Sequence, residues 1–447
     1  MGHLARATAV ALALKEVANP IIVSMAGGIA EIPTTLGIRC EYIPGRDKLW
    51  MPRDKWDVYL RDRLLALIDE TDAKVLTFDG VVPYPGVFAT RIVNKRISLV
   101  WIRRGLWKKN LLRFVLPFYS RIMDLVIEPG DFAREIDCGP TSKRKDAVLT
   151  SPVSLFNSRN AFTREDSRKA LGLDVNRPVV LVQLGTGDSD VNAKMAAALE
   201  GLLGWKDLQV VLTKAPIAKD GSSLAPLNLD LKVIRYFPLA QVLRAFDASI
   251  CATGYNGVHE LLPAQIPTVF VSNIRGTDDQ EARARWCQES GFALRADQNN
   301  LSDITETVRR LQDKATREQL AAKCSELPDT SGGAEIAGIL SAIALQGRPV
   351  NRKLFTRFLR SVIYVGIRRI TLIYRHLKPH TTMQTVYLEP PIFGDSTKVE
   401  DLRELLKSPT RYEHLITGAS DSYRARREEI ASTAYGNLIG RGATDEA

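Results

Sequence analysis

Residues 248–291, ASICATGYNGVHELLPAQIPTVFVSNIRGTDDQEARARWCQESG, read as strand, glycine-bearing turn, helix, strand, loop, helix. The apolar run Ala248 to Ala252 feeds a turn built on Gly254 and Gly257, and Glu260 follows one helical turn inside the next element. A helix that starts there aims its free N–H groups and positive dipole end at whatever lies above the sheet, which suits a phosphate. A carboxylate one turn further on accepts hydrogen bonds from sugar hydroxyls. Together the two features read as a site for a nucleotide-sugar.

Working outward, the same alternation continues on both sides. Strands are expected at RPVVLVQL from Arg177, LQVVLT from Leu208, LKVIRYF from Leu231, DASICAT from Asp247 and PTVFVS from Pro267. An earlier series comprises PIIVSM from Pro20, RCEYIP from Arg39, AKVLTFDG from Ala73, ISLVWI from Ile97 and DLVIEP from Asp124. Between them lie amphipathic stretches such as DKWDVYLRDRLLALIDE, where Trp56, Leu60, Leu64 and Leu67 recur at helical spacing. Strands alternating with helices of this length predict β-α-β units and parallel sheets. The fold class is therefore α/β, with two doubly wound Rossmann-like domains. Their expected bounds are 1–140, a linker at 141–176 with one strand in DAVLTSPV, and 177–346. A polar helical extension follows at 347–447.

At 447 residues the chain is too long for one ordinary core and suits this two-domain reading. Its five cysteines stand far apart with no CxxC, which argues against a zinc site or disulfide framework and favours a reducing cytoplasm. The N-terminus lacks the pattern of a secretory signal, and no window has the ~18 uncharged apolar residues of a membrane span. The net charge of +10 is concentrated: between Ile336 and Leu388 there is no Asp or Glu, while nine Lys and Arg occur. Within it, 353–378 has helical periodicity, with Phe355, Leu359, Val362, Ile370 and Ile373 on one side and Lys353, Arg357, Arg360, Arg368 and Arg375 on the other. That pattern suits the headgroup zone of an anionic membrane, at about 1 kcal/mol per basic residue near the surface. The competing readings are a helix packed on the body with solvated arginines, and a nucleic-acid contact. The last is disfavoured because no base-stacking platform or helix-turn-helix pattern accompanies it.

Three motifs resemble the GT-B glycosyltransferases, most closely the branch of glycosyltransferase family 28 that includes the lipid II N-acetylglucosaminyltransferases and galactolipid synthases. They are Gly2-His3-Leu4-Ala5-Arg6, then Leu184-Gly185-Thr186-Gly187, then Ala252 to Glu260 with Pro267 and Asp278-Asp279-Gln280. The likeness covers roughly residues 1 to 345. In that family the first motif follows a buried β-strand, whereas here it stands directly after Met1. The expectation is either that the recorded start is internal to the coding sequence or that the first sheet has lost a strand from its middle.

The resemblance implies roles. His3 would be the base that takes the acceptor's proton, since imidazoles titrate near neutrality; the competing reading is a helix cap, and Asp79 is the alternative base. Gly185, Thr186 and Gly187, with Gly254, Tyr255, Asn256, Gly257 and Val258, would cradle the diphosphate through backbone N–H groups. Glu260 would hold the ribose hydroxyls, against a plain solvent-facing glutamate. Asp279 and Gln280 would face the donor sugar, against an N-capped turn, and Phe237 marks where backbone meets the base. Gly2, Arg6, Asp79, Arg103 and Arg104 fall on the acceptor side, where the two last would attract an acceptor phosphate or form a basic loop. His259 points about 100° away from Glu260 and suits a structural role.

No cofactor or metal is implied: Asp188-Ser189-Asp190 spells DxD but opens a predicted helix, where such residues cap. Retaining relatives carry a second glutamate eight positions after the first, and position 268 is Thr. The implied activity is inverting transfer from a UDP-sugar to a lipid-linked or membrane-proximal acceptor, at the cytoplasmic leaflet. Rival readings are a CDP-glycerol-type polymer transferase, suggested by the tail Tyr423 to Thr444, and a catalytically inactive membrane-surface binding protein. A nucleotide-sugar 2-epimerase is disfavoured by the missing Arg-Pro-Glu loop.

Overall fold

Short β-branched runs separated by helix-length segments favour parallel pairing with helical crossovers, and the computed structural model of the chain realises this twice. It describes residues 2–25, 32–46, 52–109, 116–185, 191–213, 229–273 and 276–346. The N-terminal lobe contains α1 (Gly2–Leu14), β1 (Ile21–Ser24), β2 (Arg39–Tyr42), α2 (Arg53–Thr71), β3 (Val75–Asp79), α3 (Pro85–Val93), β4 (Ser98–Ile102), α4 (Leu116–Ile122), β5 (Leu125–Pro129) and β6 (Val148–Thr150). Each strand expected between Pro20 and Pro129 is present.

The strands β3, β4, β5 and β6 form a parallel sheet in chain order, while β1 and β2 pair in parallel as a separate two-stranded sheet. Among the described residues no ladder joins β1 to β3. Alternate residues of β4 serve opposite faces. Leu99 and Trp101 join Leu60 and Leu64 of α2, whereas Val100 and Ile102 join Ala9 and Val10 of α1 with Ile336 and Leu340. Covered on both faces, all five β4 residues are buried.

The C-terminal lobe follows with α5 (Arg164–Leu171), β7 (Val179–Gln183), α6 (Val191–Gly201), β8 (Gln209–Thr213), β9 (Asp230–Ile234), β10 (Ala248–Ala252), α7 (Tyr255–Leu261), β11 (Thr268–Val271), α8 (Gln280–Glu289), β12 (Leu294–Ala296), α9 (Leu301–Arg309), α10 (Lys314–Cys324) and α11 (Gly332–Gln346). Its six strands run β12-β11-β10-β7-β8-β9, all parallel. The edge strand β12, three residues long, carries no periodic signal and was not expected.

The chain crosses between lobes twice. In the stretch read as a linker, β6 extends the N-terminal sheet. Further on, α5 is anchored to the C-terminal lobe by Arg168, which donates to Ala245 O (3.0 Å) and Asp247 (2.7 Å). At the other end α11, counted with the donor domain in the sequence, returns to pack Ile336 and Leu340 against the N-terminal lobe. No helix among the described residues is long and apolar enough to cross a membrane. The basic segment 353–378, the tail Tyr423 to Thr444, Thr186, Gly187 and Asp188-Ser189-Asp190 lie outside the described residues.

Candidate active site

The order β12-β11-β10-β7-β8-β9 reverses direction between β10 and β7, and open α/β sheets bind ligands beyond the carboxyl ends of strands at such a point. Here β7 runs into Gly185 and β10 into Gly254. Gly185 is exposed with φ +82°, a left-handed conformation that glycine adopts without strain. Gly254 occupies the N-cap of α7 and brings no side-chain acceptor, so the first-turn N–H groups are left for a ligand or water. Gly257 serves packing: a Cβ there would stand 3.0 Å from Cys251 Sγ and 3.3 Å from Ala252 O, so its absence lets α7 lie close against β10. Val258 is wholly buried in the core. Glu260, one turn in, is half-buried; its backbone O accepts from Ala264 N–H at 3.2 Å, and its carboxyl has no hydrogen-bond partner among the described residues. Burial pushes its carboxyl up to about 8.

From the other lobe, the start of α1 meets the carboxyl end of β3. His3 Nδ1 lies 2.7 Å from Asp79 Oδ1, and Arg6 Nε donates to Asp79 Oδ2 at 3.0 Å. Burial alone would raise the Asp79 carboxyl, but the Arg6 guanidinium and His3 beside it hold it well below the usual carboxylate range. Nδ1 also lies 2.9 Å from Arg6 Nη2, a donor only, so the carboxylate and the guanidinium compete for this nitrogen; a proton on Nδ1, facing Asp79, would leave the lone pair on Nε2. His3 is half-exposed, with its side chain 52% accessible. Asn256 Nδ2 donates to Gly2 O at 3.2 Å, which joins the beginning of α1 to the first turn of α7 across the lobes.

Tyr255 is a structural hub. Its hydroxyl donates to Gly130 O (2.8 Å) and accepts from Val153 N–H (2.9 Å), and Arg6 and Arg104 both lie over its ring, 5.2 and 5.7 Å from the centroid. Beside it, Arg283 is fully buried and donates to Asp131 (2.9 Å), Asp278 (2.9 Å) and Thr253 O (2.9 Å). Arg104 reaches Asp278 at 3.3 Å. His259 is also fully buried: Nδ1 donates to Tyr255 O (2.6 Å), and Nε2 accepts from Phe132 N–H (3.2 Å). Burial, only partly opposed by Asp131, lowers its imidazole to about 4, so it stays neutral. Backbone bonds from Lys108 N to Thr277 O and from Asp279 N to Leu106 O complete the seam. None of Asp131, Asp278 and Arg283 was singled out as a site residue from sequence. Asp278 stood in a quoted motif, but nothing local marked its partners.

Other expected residues separate. Arg103 is not on the cleft: it is wholly buried between Glu128 (3.2 Å) and Asp146 (3.3 Å), which corrects its reading as an acceptor contact. The strand end that carries it turns its side chain inward, where only paired charge is tolerated. Arg104 does border the seam. Phe237 packs its ring with Leu4, Ala11, Ile22 and Ile38 of the N-terminal lobe, so only its backbone is left for a base. Asp279 caps α8, accepting from Ala282 N–H at 3.1 Å. Gln280 is buried, accepts from Asn273 N–H at 2.9 Å and lies beside Gly254. Thr268, where retaining relatives carry a glutamate, is buried against Ser249 at 2.7 Å.

Two doubly wound lobes, with a helix N-terminus at the switch point of the second, are the architecture of the GT-B fold. Residues 179–336 match the glycosyltransferase family 28 C-terminal domain. It is 26% identical over 373 residues to the UDP-N-acetylglucosamine--N-acetylmuramyl-(pentapeptide) pyrophosphoryl-undecaprenol N-acetylglucosamine transferase of Rhodococcus opacus (strain B4), covering 78% of this chain and 94% of that one. It is 31% identical over 225 residues to 4'-demethylrebeccamycin synthase of Lentzea aerocolonigenes; that match spans 50% of this chain and only 48% of the relative. Among solved structures, MurG of Acinetobacter baumannii superposes with a TM-score of 0.50 at 17% identity, over 76% of this chain and 96% of that one.

Proposed function

We propose that the protein is an inverting glycosyltransferase that moves a sugar from a UDP-sugar to a hydroxyl of a lipid-linked or membrane-proximal acceptor. The observation that carries this reading is the His3–Asp79 pair, tied by Gly2 O to Asn256 at the start of the donor helix. In the proposed reaction His3 Nε2 takes the acceptor hydroxyl proton, and the oxygen attacks the anomeric carbon from the side opposite the diphosphate. The anomeric C–O bond breaks, and its electron pair leaves on UDP. Asp79 stabilises the imidazolium that forms, and Arg6 keeps Asp79 ionised and oriented. Backbone N–H groups at Gly185 and the first turn of α7 meet the departing negative charge, without a metal. Glu260 takes the ribose hydroxyls.

The names of the Rhodococcus relative and its kin support an undecaprenol-linked acceptor, and hence work on cell-envelope precursors at the cytoplasmic face. The basic 353–378 segment gives the reading a means of holding that surface. The test is turnover of UDP-sugars with a lipid-diphosphate acceptor. His3→Ala is expected to lower kcat by about 10²–10⁴ while UDP affinity stays within about twofold. Unchanged turnover in His3→Ala removes the proposed base.

A further inference from the structure

The loop after β4 holds a backbone conformation that its sequence does not favour. Leu106 has φ +55°, in the left-handed region where a residue with a Cβ is strained. Among the described residues three other non-glycines share that region, two of them aspartates, and Leu106 alone is apolar. Such a conformation persists only where the surroundings fix it, and here both lobes take part. The Leu106 N–H donates to Asp137 Oδ2 at 2.9 Å within the N-terminal lobe, and Asp137 is itself held by Gly139 N–H (2.7 Å) and Thr141 Oγ1 (3.2 Å). The Leu106 carbonyl accepts from Asp279 N–H of the C-terminal lobe at 3.0 Å. Its side chain is buried in the apolar cluster that holds Val258 of α7 with Ala284 and Cys287 of α8. The next two residues extend the contact: Trp107 pairs with Asp278 in an antiparallel bridge, and Lys108 N–H donates to Thr277 O at 2.9 Å.

We propose that Leu106 is a positioning residue for the donor sugar: its left-handed backbone aims a carbonyl of the N-terminal lobe at the turn that carries Asp279 and Gln280. The inference rests on the glycosyltransferase reading, which sets those two residues against the sugar. Thr277 and Asp279 take these backbone partners from the loop that holds Leu106, across the lobe boundary. With the turn held there, Asp279 caps α8, and Gln280 brings Oε1 to Asn273 N–H at 2.9 Å. That bond commits the oxygen of the Gln280 amide and leaves its Nε2 on the side of Gly254, 4.0 Å from where a Cβ on that glycine would stand. A peptide unit is planar, so moving Leu106 to an extended or right-handed backbone swings its carbonyl off Asp279 as one piece. The turn then loses its register, while Glu260 and the backbone at Phe237, which the same reading gives to the nucleoside, stay in place. The sugar is therefore gripped by a site that both lobes build, and the nucleoside by one lobe alone.

The test compares Leu106→Ala, Leu106→Ile and Leu106→Met with the parent protein. Alanine removes the buried anchor. Isoleucine keeps the bulk, but its β-branch opposes a positive φ. Methionine keeps both the bulk and an unbranched Cβ. Calorimetry measures Kd for UDP and for whichever of UDP-glucose, UDP-galactose and UDP-N-acetylglucosamine the parent binds most tightly. Leu106→Ala and Leu106→Ile are expected to weaken the UDP-sugar about tenfold, the worth of one or two hydrogen bonds to sugar hydroxyls, with UDP kept within about twofold. Leu106→Met should match the parent. Amide exchange at Lys108 and Asp279 should quicken at least about tenfold in the first two variants, with β10 unchanged. Unchanged UDP-sugar affinity in Leu106→Ala and Leu106→Ile, or equal weakening of UDP and UDP-sugar, overturns the proposal. A parent protein that binds none of these nucleotides instead sinks the glycosyltransferase reading, and exchange at Asp279 still tells whether Leu106 holds the turn.

Discussion

If Glu260 receives ribose hydroxyls, nucleotide binding must be linked to proton release. In the free protein burial holds the Glu260 carboxyl at about 8, so it is mostly protonated at neutral pH. Hydroxyl donors favour the ionised form, and binding expels the proton. Taking the bound carboxylate as fully ionised, UDP binding releases about 0.8 proton at pH 7.5, about 0.5 at pH 8 and about 0.1 at pH 9. The Kd tightens about fourfold from pH 7.5 to 9 and then levels. The terminal phosphate of UDP, with a second ionisation near ~6, contributes little in this window, and neither does neutral His259. Calorimetry in buffers of different ionisation enthalpy reads the proton count directly. Glu260→Gln should bind more weakly, release no proton and show a flat profile. Zero release by the parent protein across this range, or the same release by Glu260→Gln, refutes the assignment. The same group affects stability with a definite sign. The folded state holds its proton to higher pH than the unfolded chain does, so stability falls as pH rises from about 4.5 to 8, by at most about 1.4 kcal/mol per pH unit. Glu260→Gln should flatten that slope in thermal melts.

Gly257→Ala places a Cβ 3.0 Å from Cys251 Sγ and 3.3 Å from Ala252 O; denaturant titration should show a loss of about 1–3 kcal/mol, part of it regained when Cys251→Ala is added. Arg283→Met leaves the buried Asp131 and Asp278 without their shared partner and should cost about 3–5 kcal/mol; a melt unchanged within error would mean that the carboxylates find other cations. Tyr255→Phe strips Gly130 O and Val153 N–H of their partner and should destabilise by about 1–3 kcal/mol, with UDP affinity retained because the hydroxyl faces the seam. Asp79→Asn should lower kcat with UDP affinity kept, and should also lower Tm, since Arg6 is left buried beside a neutral amide.

Much of this was legible in the chain as written, and the reason is range. A strand or helix is specified by neighbours two to four residues away, so the runs at Ile21, Val75, Ser98, Val179 and Ala248 announced their strands. The turn at Gly254 announced the helix behind it. Motif spacing likewise placed Gly254 at the start of α7 and Glu260 within the same helix. What local pattern did not carry was the choice of partner for each charge. Arg103 and Arg104 are adjacent, yet one is buried between Glu128 and Asp146 and the other lies over Tyr255. Asp131 and Arg283, 152 positions apart, are joined only by folding. The separation of β1 from β3, and the return of α11 to the first lobe, are equally invisible to periodicity. Sequence determined which segments become strands and helices and where the glycine turn at Gly254 lies, because those depend on backbone and nearest neighbours. Tertiary structure alone decided which ionised groups are dry, which are paired and where the sheet is open, because desolvation depends on everything packed around a group, however distant along the chain.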